Sequence, residues 1–247
     1  MILGISVDVS DFWKIQELVK KHKNLVQHIQ IYLDDSPLKH VKRTITEFYD
    51  SSISYSFHAF GNLNLADISD YLVAVHTIDA LSSIGGTFVN FHVGYVSLDG
   101  QCRDTALNSS IKSTKKLCSY AYSKGIAVNL ENDIQSDDGY ERLGTTLSDW
   151  FSILRIDQLN FHMCYDIGHA NISFGNAFMF RQMMPKIASF HIHNNDGEND
   201  LHIPFGRHGT IPLENILLEL QRSNKYVILE NSLDEYDIAL QHLSHLL

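Results

Sequence analysis

Short apolar runs alternate with stretches of helical period along the whole chain. The runs fall near 2–7, 26–33, 53–58, 87–93, 126–131, 161–166, 187–193 and 226–230. Each has the length of a buried strand and is bounded by polar residues or glycine. Between them Phe12, Ile15, Leu18 and Val19, and later Ile216, Leu217 and Leu220, recur at the spacing of one helical face. Ser36 before Pro37, and Thr210-Ile211 before Pro212, predict helices with a proline in the first turn. Gly125 predicts a helix stop ahead of the strand that begins at Ile126.

Regular alternation of strand and helix implies a mostly parallel sheet. Roughly eight repeats in 247 residues fit a single (β/α)8 barrel over residues 1–247. A doubly wound open sheet is the alternative, but no GxGxxG follows the first run. No Pro/Gly/Ser-rich linker or charge block divides the chain. The apolar, methionine-rich segment from Phe174 to Met184 is expected as a helix covering the barrel rather than as a substrate lid.

The ends of the runs carry the chemistry. They read Ser56-Phe57-His58, Val89-Asn90-Phe91-His92, Val128-Asn129-Leu130-Glu131, Met163-Cys164-Tyr165-Asp166, Phe190-His191-Ile192-His193 and Val227-Ile228-Leu229-Glu230. In a parallel barrel these ends meet at one mouth, where such folds keep their active sites. A lone buried histidine is usually a hydrogen-bonded core residue, and a lone strand-end aspartate is usually a helix cap. Six endings drawn only from His, Asp and Glu point instead to a metal site. Glu131 and Glu230 argue hardest for it, because a buried carboxylate is costly without a cation or a proton. Asp166-Ile167-Gly168-His169 sets a carboxylate and an imidazole one short turn apart, with Gly168 expected to supply the backbone freedom. Asp200 and His202, at i,i+2, share a direction in an extended loop.

Composition narrows the function. The net charge of −10 weighs against a broad nucleic-acid surface and favours a small substrate. Lysines at 20, 21 and 23, and at 112, 115 and 116, are expected on solvated helix faces. No stretch reaches the roughly 18 apolar residues of a membrane span. The opening Met1-Ile2-Leu3-Gly4-Ile5 reads as a first strand rather than a signal peptide, so a cytoplasmic protein is expected. Three cysteines without CxxC spacing give no disulfide framework, and Cys164 is expected to be a core residue.

Taken together these motifs resemble the xylose isomerase-like barrels, a superfamily that includes the endonuclease IV nucleases. The resemblance spans about residues 54 to 230. It is densest at Cys164-Tyr165-Asp166-Ile167-Gly168-His169-Ala170, at His191-Ile192-His193-Asn194-Asn195-Asp196-Gly197, at Asp200-Leu201-His202-Ile203-Pro204 and at Ile228-Leu229-Glu230-Asn231. For the sugar isomerases and epimerases it implies one divalent ion, zinc or manganese, held by Glu131, Asp166, His193 and Glu230. The two glutamates would double as acid and base, His169 would contact substrate oxygens, and the substrate would be a small sugar or sugar phosphate. For the nuclease branch it implies up to three zinc ions. There His58 and His92 serve one ion, His169, Asp200 and His202 another, and Glu131 bridges; the reaction would be phosphoester hydrolysis.

All nine positions of the nuclease pattern are occupied, yet His58 is followed by Ala59-Phe60-Gly61-Asn62, small and polar where that branch inserts bulky wedge residues into DNA. The isomerase or epimerase reading is therefore placed first and the hydrolase second. A non-catalytic metal-binding barrel is a third class. His191 is expected to orient His193 or to contact substrate. Gly206-Arg207-His208-Gly209-Thr210-Ile211-Pro212 reads either as a plain connection or as a phosphate loop entering a helix, with Arg207 and His208 adding contacts.

Overall fold

A computed structural model describes the chain except residues 34–40, 42, 44, 47–49, 51, 98, 99, 101, 136–138, 206 and 247. The helix start expected at Ser36-Pro37 and the expected phosphate-loop residue Gly206 lie outside the described residues. Eight strands, all parallel, close into a barrel. In chain order they are β1 (Ile2–Asp8), β2 (His28–Tyr32), β3 (Ser54–His58), β4 (Phe88–His92), β6 (Ala127–Glu131), β8 (Phe161–Asp166), β9 (Ile187–Ile192) and β10 (Tyr226–Leu229). β1 closes the ring by pairing with both β2 and β10, in register Ile5 with Ile29 and Ile5 with Leu229. The expected (β/α)8 barrel is thus the fold observed. Among the described residues no helix is long and apolar enough to cross a membrane.

Helices pack outside the strands by the apolar faces read from the sequence. The helix Arg103–Tyr122 buries Leu107, Leu117, Cys118 and Ala121 and exposes Lys112, Lys115 and Lys116. Gly125 follows it at φ 71°, the left-handed turn expected of a helix stop. The helix Leu213–Leu220 buries Leu213, Ile216, Leu217 and Leu220, with Pro212 as its N-cap rather than inside the first turn. One expectation needs correction. The segment 174–184 is not one helix but a chain of short turns, Ala177–Met179, Phe180–Met183 and Met184–Lys186. Asn176 caps the first, and Pro185 lies in the last. Two further strands, β5 (Tyr95–Ser97) and β7 (Tyr140–Arg142), form an antiparallel ribbon outside the barrel that the alternation did not reveal.

The barrel interior is unusually polar. His28, Gln30, Ser56, Asn90, Asn129 and Ser189 are fully buried there, where branched apolar side chains normally fill such barrels. Some pair locally: His28 Nδ1 and Nε2 lie 2.7 Å from the hydroxyls of Ser54 and Ser56, and Asn129 Nδ2 donates to Ser189 Oγ at 3.0 Å, whereas the side-chain oxygens of Gln30, Asn90 and Asn129 have no partner among the described residues. Phe88 stacks on the His28 ring, and Gly4 leaves the ring room, since a Cβ there would meet His28 at 3.0–3.1 Å.

Burial lowers the His28 pKa to about 3, so the folded imidazole is neutral. The unfolded chain takes up this proton near pH 6.5 and the folded chain only near 3. The stability contributed by neutral His28 is therefore whole above 6.5 and lost as pH falls through that window. We expect His28→Gln to be less stable than the parent at pH 7. Its stability should fall by about 2 kcal/mol less between pH 7 and 5, as read by urea unfolding. Parallel pH profiles would show that His28 does not titrate in this way.

Candidate metal centre

Chain direction explains the convergence. Because all eight strands run the same way, their C-terminal residues surround one mouth. His58, His92, Glu131 and Asp166 are the last residues of β3, β4, β6 and β8; His191 is the penultimate residue of β9, and Glu230 follows β10. Asp166 also caps the helix Ile167–Ser173, accepting from the His169 N–H at 2.6 Å, which fixes His169 in the first turn above it. Asp200 and His202 come from the connection after β9. A two-way backbone bridge between Asn194 and Ile203, 2.8 Å each way, folds that connection back over the mouth. His202 has φ 48°, the only non-glycine positive φ among the described residues. The mouth opens into a cavity of about 840 Å³ lined by His58, His92, Glu131, His169, Asp200, His202 and Glu230.

Glu131 is the hub. Its Oε2 lies 3.0 Å from His58 Nε2 and its Oε1 lies 3.0 Å from His191 Nδ1. The same His191 nitrogen is 3.2 Å from Glu230 Oε1 and 3.9 Å from Asp166 Oδ2. Donor atoms of Glu131, Asp166, His191 and Glu230 thus fit within 4.8 Å of one another. The expected quartet had His193 in the place that His191 takes in this group, the choice between the two being open from the sequence. His191 pairs in register with Asp166 and so lies at the level of the carboxylates, whereas His193 is beyond the strand end. There His193 Nε2 sits 3.2 Å from Asp166 and 3.5 Å from Asp200, and its ring stacks on His202 at 3.9 Å. His191, expected to orient His193 or to contact substrate, lies among the carboxylates, and both imidazoles neighbour Asp166, at 3.9 and 3.2 Å.

A second group surrounds Asp200. Its Oδ2 is 3.3 Å from His169 Nε2 and 3.2 Å from His202 Nε2. Gly168 serves this group by its size and not by backbone freedom. Its φ is not left-handed, but a Cβ would fall 2.0 Å from Cε1 of His193.

The donor set fits a divalent cation. Three imidazoles commit their Nδ1 protons to backbone carbonyls: His58 donates to Ala59 O at 2.8 Å, His169 to Asn132 O at 2.8 Å and His202 to Glu230 O at 3.0 Å. That fixes the tautomer and leaves each Nε2 facing a carboxylate, which needs a cation between the two lone pairs, either a proton or a metal ion. Without a metal the carboxylates draw in protons. Burial opposes the charge on His169 and His191, yet Asp166 and Asp200 around the first, and Glu131 and Glu230 around the second, hold both pKa values well above the ordinary range. His202 is pushed up to about 9 against its own burial by Asp200 and Glu230. Burial would raise Glu131, but His191 and His58 hold it well below the usual carboxylate range. Nitrogen and oxygen donors in this mixture suit zinc or manganese.

Several residues of the site escaped the sequence reading. Asn132 brackets Asp166, donating to its carbonyl and accepting from its N–H, each at 2.8 Å. The Asn90 amide lies 2.9 Å from His191 Nε2 and can donate to it or, rotated by 180°, accept its proton; the second state turns the Nδ1 lone pair on the carboxylates. Tyr32 stacks on His58, and burial with Glu131 and Glu230 pushes its hydroxyl up to about 12, so it stays protonated at neutral pH. Lys14 and Arg142 also line the cavity. Asp133, 5% exposed, faces His92. The one signal for these was the unbroken polar triplet Glu131-Asn132-Asp133 after an apolar run.

Two expected substrate contacts lie elsewhere. Arg207 pairs with Glu235 at 2.9 Å, and with His208 it borders a separate depression of about 290 Å³. Several loop amides are already used within the chain: Arg207 N–H donates to Pro204 O, Thr210 N–H to Asn195 O, Ile211 N–H to Asn194 Oδ1 and Leu213 N–H to Ile211 O. Cys164 is buried, and burial pushes its thiol up to about 11, in keeping with a core residue.

A closed parallel barrel whose mouth gathers histidines and carboxylates defines a (β/α)8 protein with a candidate metal centre. The chain belongs to the xylose isomerase-like TIM barrel family, whose sequence profile matches residues 22–246. It is 27% identical over 213 residues to an uncharacterised protein of Methanocaldococcus jannaschii, covering 82% of this chain and 80% of that one. Among solved structures it is similar to a D-tagatose 3-epimerase-like protein, at 23% identity and TM-score 0.79 over 100% of this chain and 98% of that one. It is similar also to a Thermus thermophilus protein soaked with ZnCl2, at 18% identity and TM-score 0.78 over the same shares. At these identities the likeness to solved structures concerns the fold.

Proposed function

We propose that this protein is a divalent-metal-dependent isomerase or epimerase of a small sugar or sugar phosphate. The observation that carries the reading is the pair Glu131 and Glu230. Both carboxylates lie close to His191 Nδ1, at 3.0 and 3.2 Å, and both line the same cavity. The cavity volume, about 840 Å³, is within the usual range for small-molecule sites of roughly 300–1,000 Å³. The likeness to a D-tagatose 3-epimerase-like protein supports the sugar as substrate class.

Glu131, Asp166, His191 and Glu230 would hold the ion. When bound it would polarise a carbonyl or hydroxyl oxygen and so acidify the neighbouring C–H. One glutamate then takes the proton from the carbon beside the carbonyl, and the other returns a proton to the same carbon or its neighbour. Return to the opposite face inverts a centre; return to the adjacent carbon interconverts ketose and aldose. His169 and His202 stand at the rim, where their rings can meet substrate oxygens. Tyr32 covers His58 and keeps water from that side.

The groups around His58 and His92 and around Asp200 favour a second reading, a phosphodiester hydrolase with several zinc ions. Net charge and the scarcity of cationic side chains in the cavity, Lys14 and Arg142 among the described residues, argue against DNA as its substrate. The test is to incubate protein loaded with manganese or zinc with ketose–aldose and C3-epimer pairs, and in parallel with a small chromogenic phosphodiester. Interconversion of at least one sugar pair is expected. Hydrolysis of the diester with no sugar turnover would replace the isomerase reading with the hydrolase.

A further inference from the structure

Among the described residues the direct backbone hydrogen bonds between β9 and β10 end with Glu230 N–H to Ile192 O at 3.2 Å. Past that point the peptide unit joining His202 to Ile203 takes their place. Its N–H, on Ile203, donates to Asn194 O at 2.8 Å, two residues beyond the end of β9. Its C=O, on His202, accepts from Asn231 Nδ2 at 3.1 Å, two residues beyond the end of β10. One peptide unit is thus pinned at both edges, a rung between two strand ends. Asn231 is itself fixed. Its N–H donates to the Tyr236 hydroxyl at 3.2 Å; Tyr236 is buried, and the same hydroxyl donates to Leu229 O at 2.9 Å. The Asn231 amide has one usable orientation, because rotated by 180° it sets its oxygen against the His202 carbonyl.

The rung bears on the cavity because His202 holds φ at 48°, a left-handed backbone that a residue with a Cβ adopts only under constraint. Freed of that constraint, the backbone would relax to negative φ and turn the side chain elsewhere. Held, the ring stacks on His193 with centroids 3.9 Å apart, sets Nε2 3.2 Å from Asp200 Oδ2 and donates from Nδ1 to Glu230 O at 3.0 Å. The His202 side chain is 39% exposed and lines the cavity. We propose that Asn231 is a positioning residue: through the 202–203 peptide it holds the His202 imidazole at the cavity wall to meet substrate hydroxyls, and so sets substrate affinity rather than the rate of proton transfer. The inference rests on reading the cavity as the site of a sugar isomerase or epimerase. Asn231 borders the cavity too, so direct contact with substrate and action through His202 are the two roles to separate.

The test is a double-mutant cycle of Asn231→Ala and His202→Gly in the full, metal-loaded chain, read as kcat and KM on the active sugar pair. Each single variant is expected to raise KM about 10-fold, with kcat changed by less than about 3-fold. The double variant should match His202→Gly alone, because the amide then has no imidazole to hold. Additive effects on KM would make Asn231 an independent substrate contact and overturn the proposal, as would an unchanged KM in Asn231→Ala. Asn231→Asp keeps the size but turns an acceptor toward the carbonyl, so it should do no better than alanine; a wild-type KM there rejects the amide as donor. A crystal structure of Asn231→Ala without substrate should show His202 at negative φ, its Nε2 out of hydrogen-bond reach of Asp200. An unmoved ring and backbone overturn the proposal whether or not any sugar reacts. Hydrogen exchange on the wild-type chain does not depend on a variant folding. The Ile203 amide should be protected at least about 100-fold over a free loop amide, and free exchange there removes the rung. A wild-type chain that turns over no sugar pair refutes the isomerase reading, a separate failure, and the crystal structure still decides whether Asn231 holds His202.

Discussion

Glu131→Gln and Glu230→Gln are each expected to lower kcat by about 10²–10⁴-fold, the range for loss of a positioned acid or base. Glutamine keeps the size and one acceptor oxygen, so His58 and His191 retain a neighbour while the site loses a proton carrier and a negative ligand. The two substitutions should nevertheless differ. Glu131 is 1% exposed and faces two imidazoles, so neutralising it leaves His58 and His191 confronting an amide in a water-poor pocket. Glu230 has its side chain 12% exposed and lies at the edge of the group. The Glu131 variant should therefore lose metal as well as turnover, and the Glu230 variant mainly turnover. Progress curves on the active sugar pair, together with metal analysis and circular dichroism, check this. Turnover within about 3-fold of wild type in either folded variant would remove that glutamate from the acid/base role.

Chelation is the second large effect. Removing the ion with a strong chelator is expected to abolish activity, and adding zinc or manganese to restore it. The fold should register the loss as well. An ion present at 100 times its dissociation constant stabilises the state that binds it by about 2.7 kcal/mol. For a chain of this size that is a fall of about 5–11 °C in Tm after chelation. Scanning fluorimetry with and without chelator, followed by metal back-titration, measures both. An unchanged melting curve and undiminished activity after exhaustive chelation would contradict the metal centre.

How much of this was legible in the sequence differs between fold and site. The barrel could be read because each strand carries a cluster of apolar residues, even where polar side chains such as Gln30, Asn90 and Asn129 face the interior and break the run, and because helical spacing recurs between the strands. The ribbon of β5 and β7 could not, since three-residue strands outside the barrel leave no periodic trace. The mouth could be read because strand ends are fixed points of the topology. His191 against His193 could not be decided from an i,i+2 pair alone. Register with Asp166 puts one at the level of the carboxylates, and only the pairing of β8 with β9 reveals that register. Asp133 was hidden for a related reason: it lies beyond a strand end, where direction is set by the loop rather than the pleat. The loop of Arg207 and His208 carried a composition suited to phosphate, but its neighbouring amides are already claimed by Asn194, Asn195 and Ile211.

His202 bears on how such a site persists over evolutionary time. Its left-handed backbone costs roughly 1–2 kcal/mol relative to glycine, which adopts that conformation freely. Stability of the backbone alone would thus favour glycine at this position. A lineage that ceased to use the mouth would gain robustness by discarding this imidazole first, well before the buried carboxylates whose loss endangers folding. Here the imidazole is held against that backbone preference by its contacts with Asp200 and the Glu230 carbonyl.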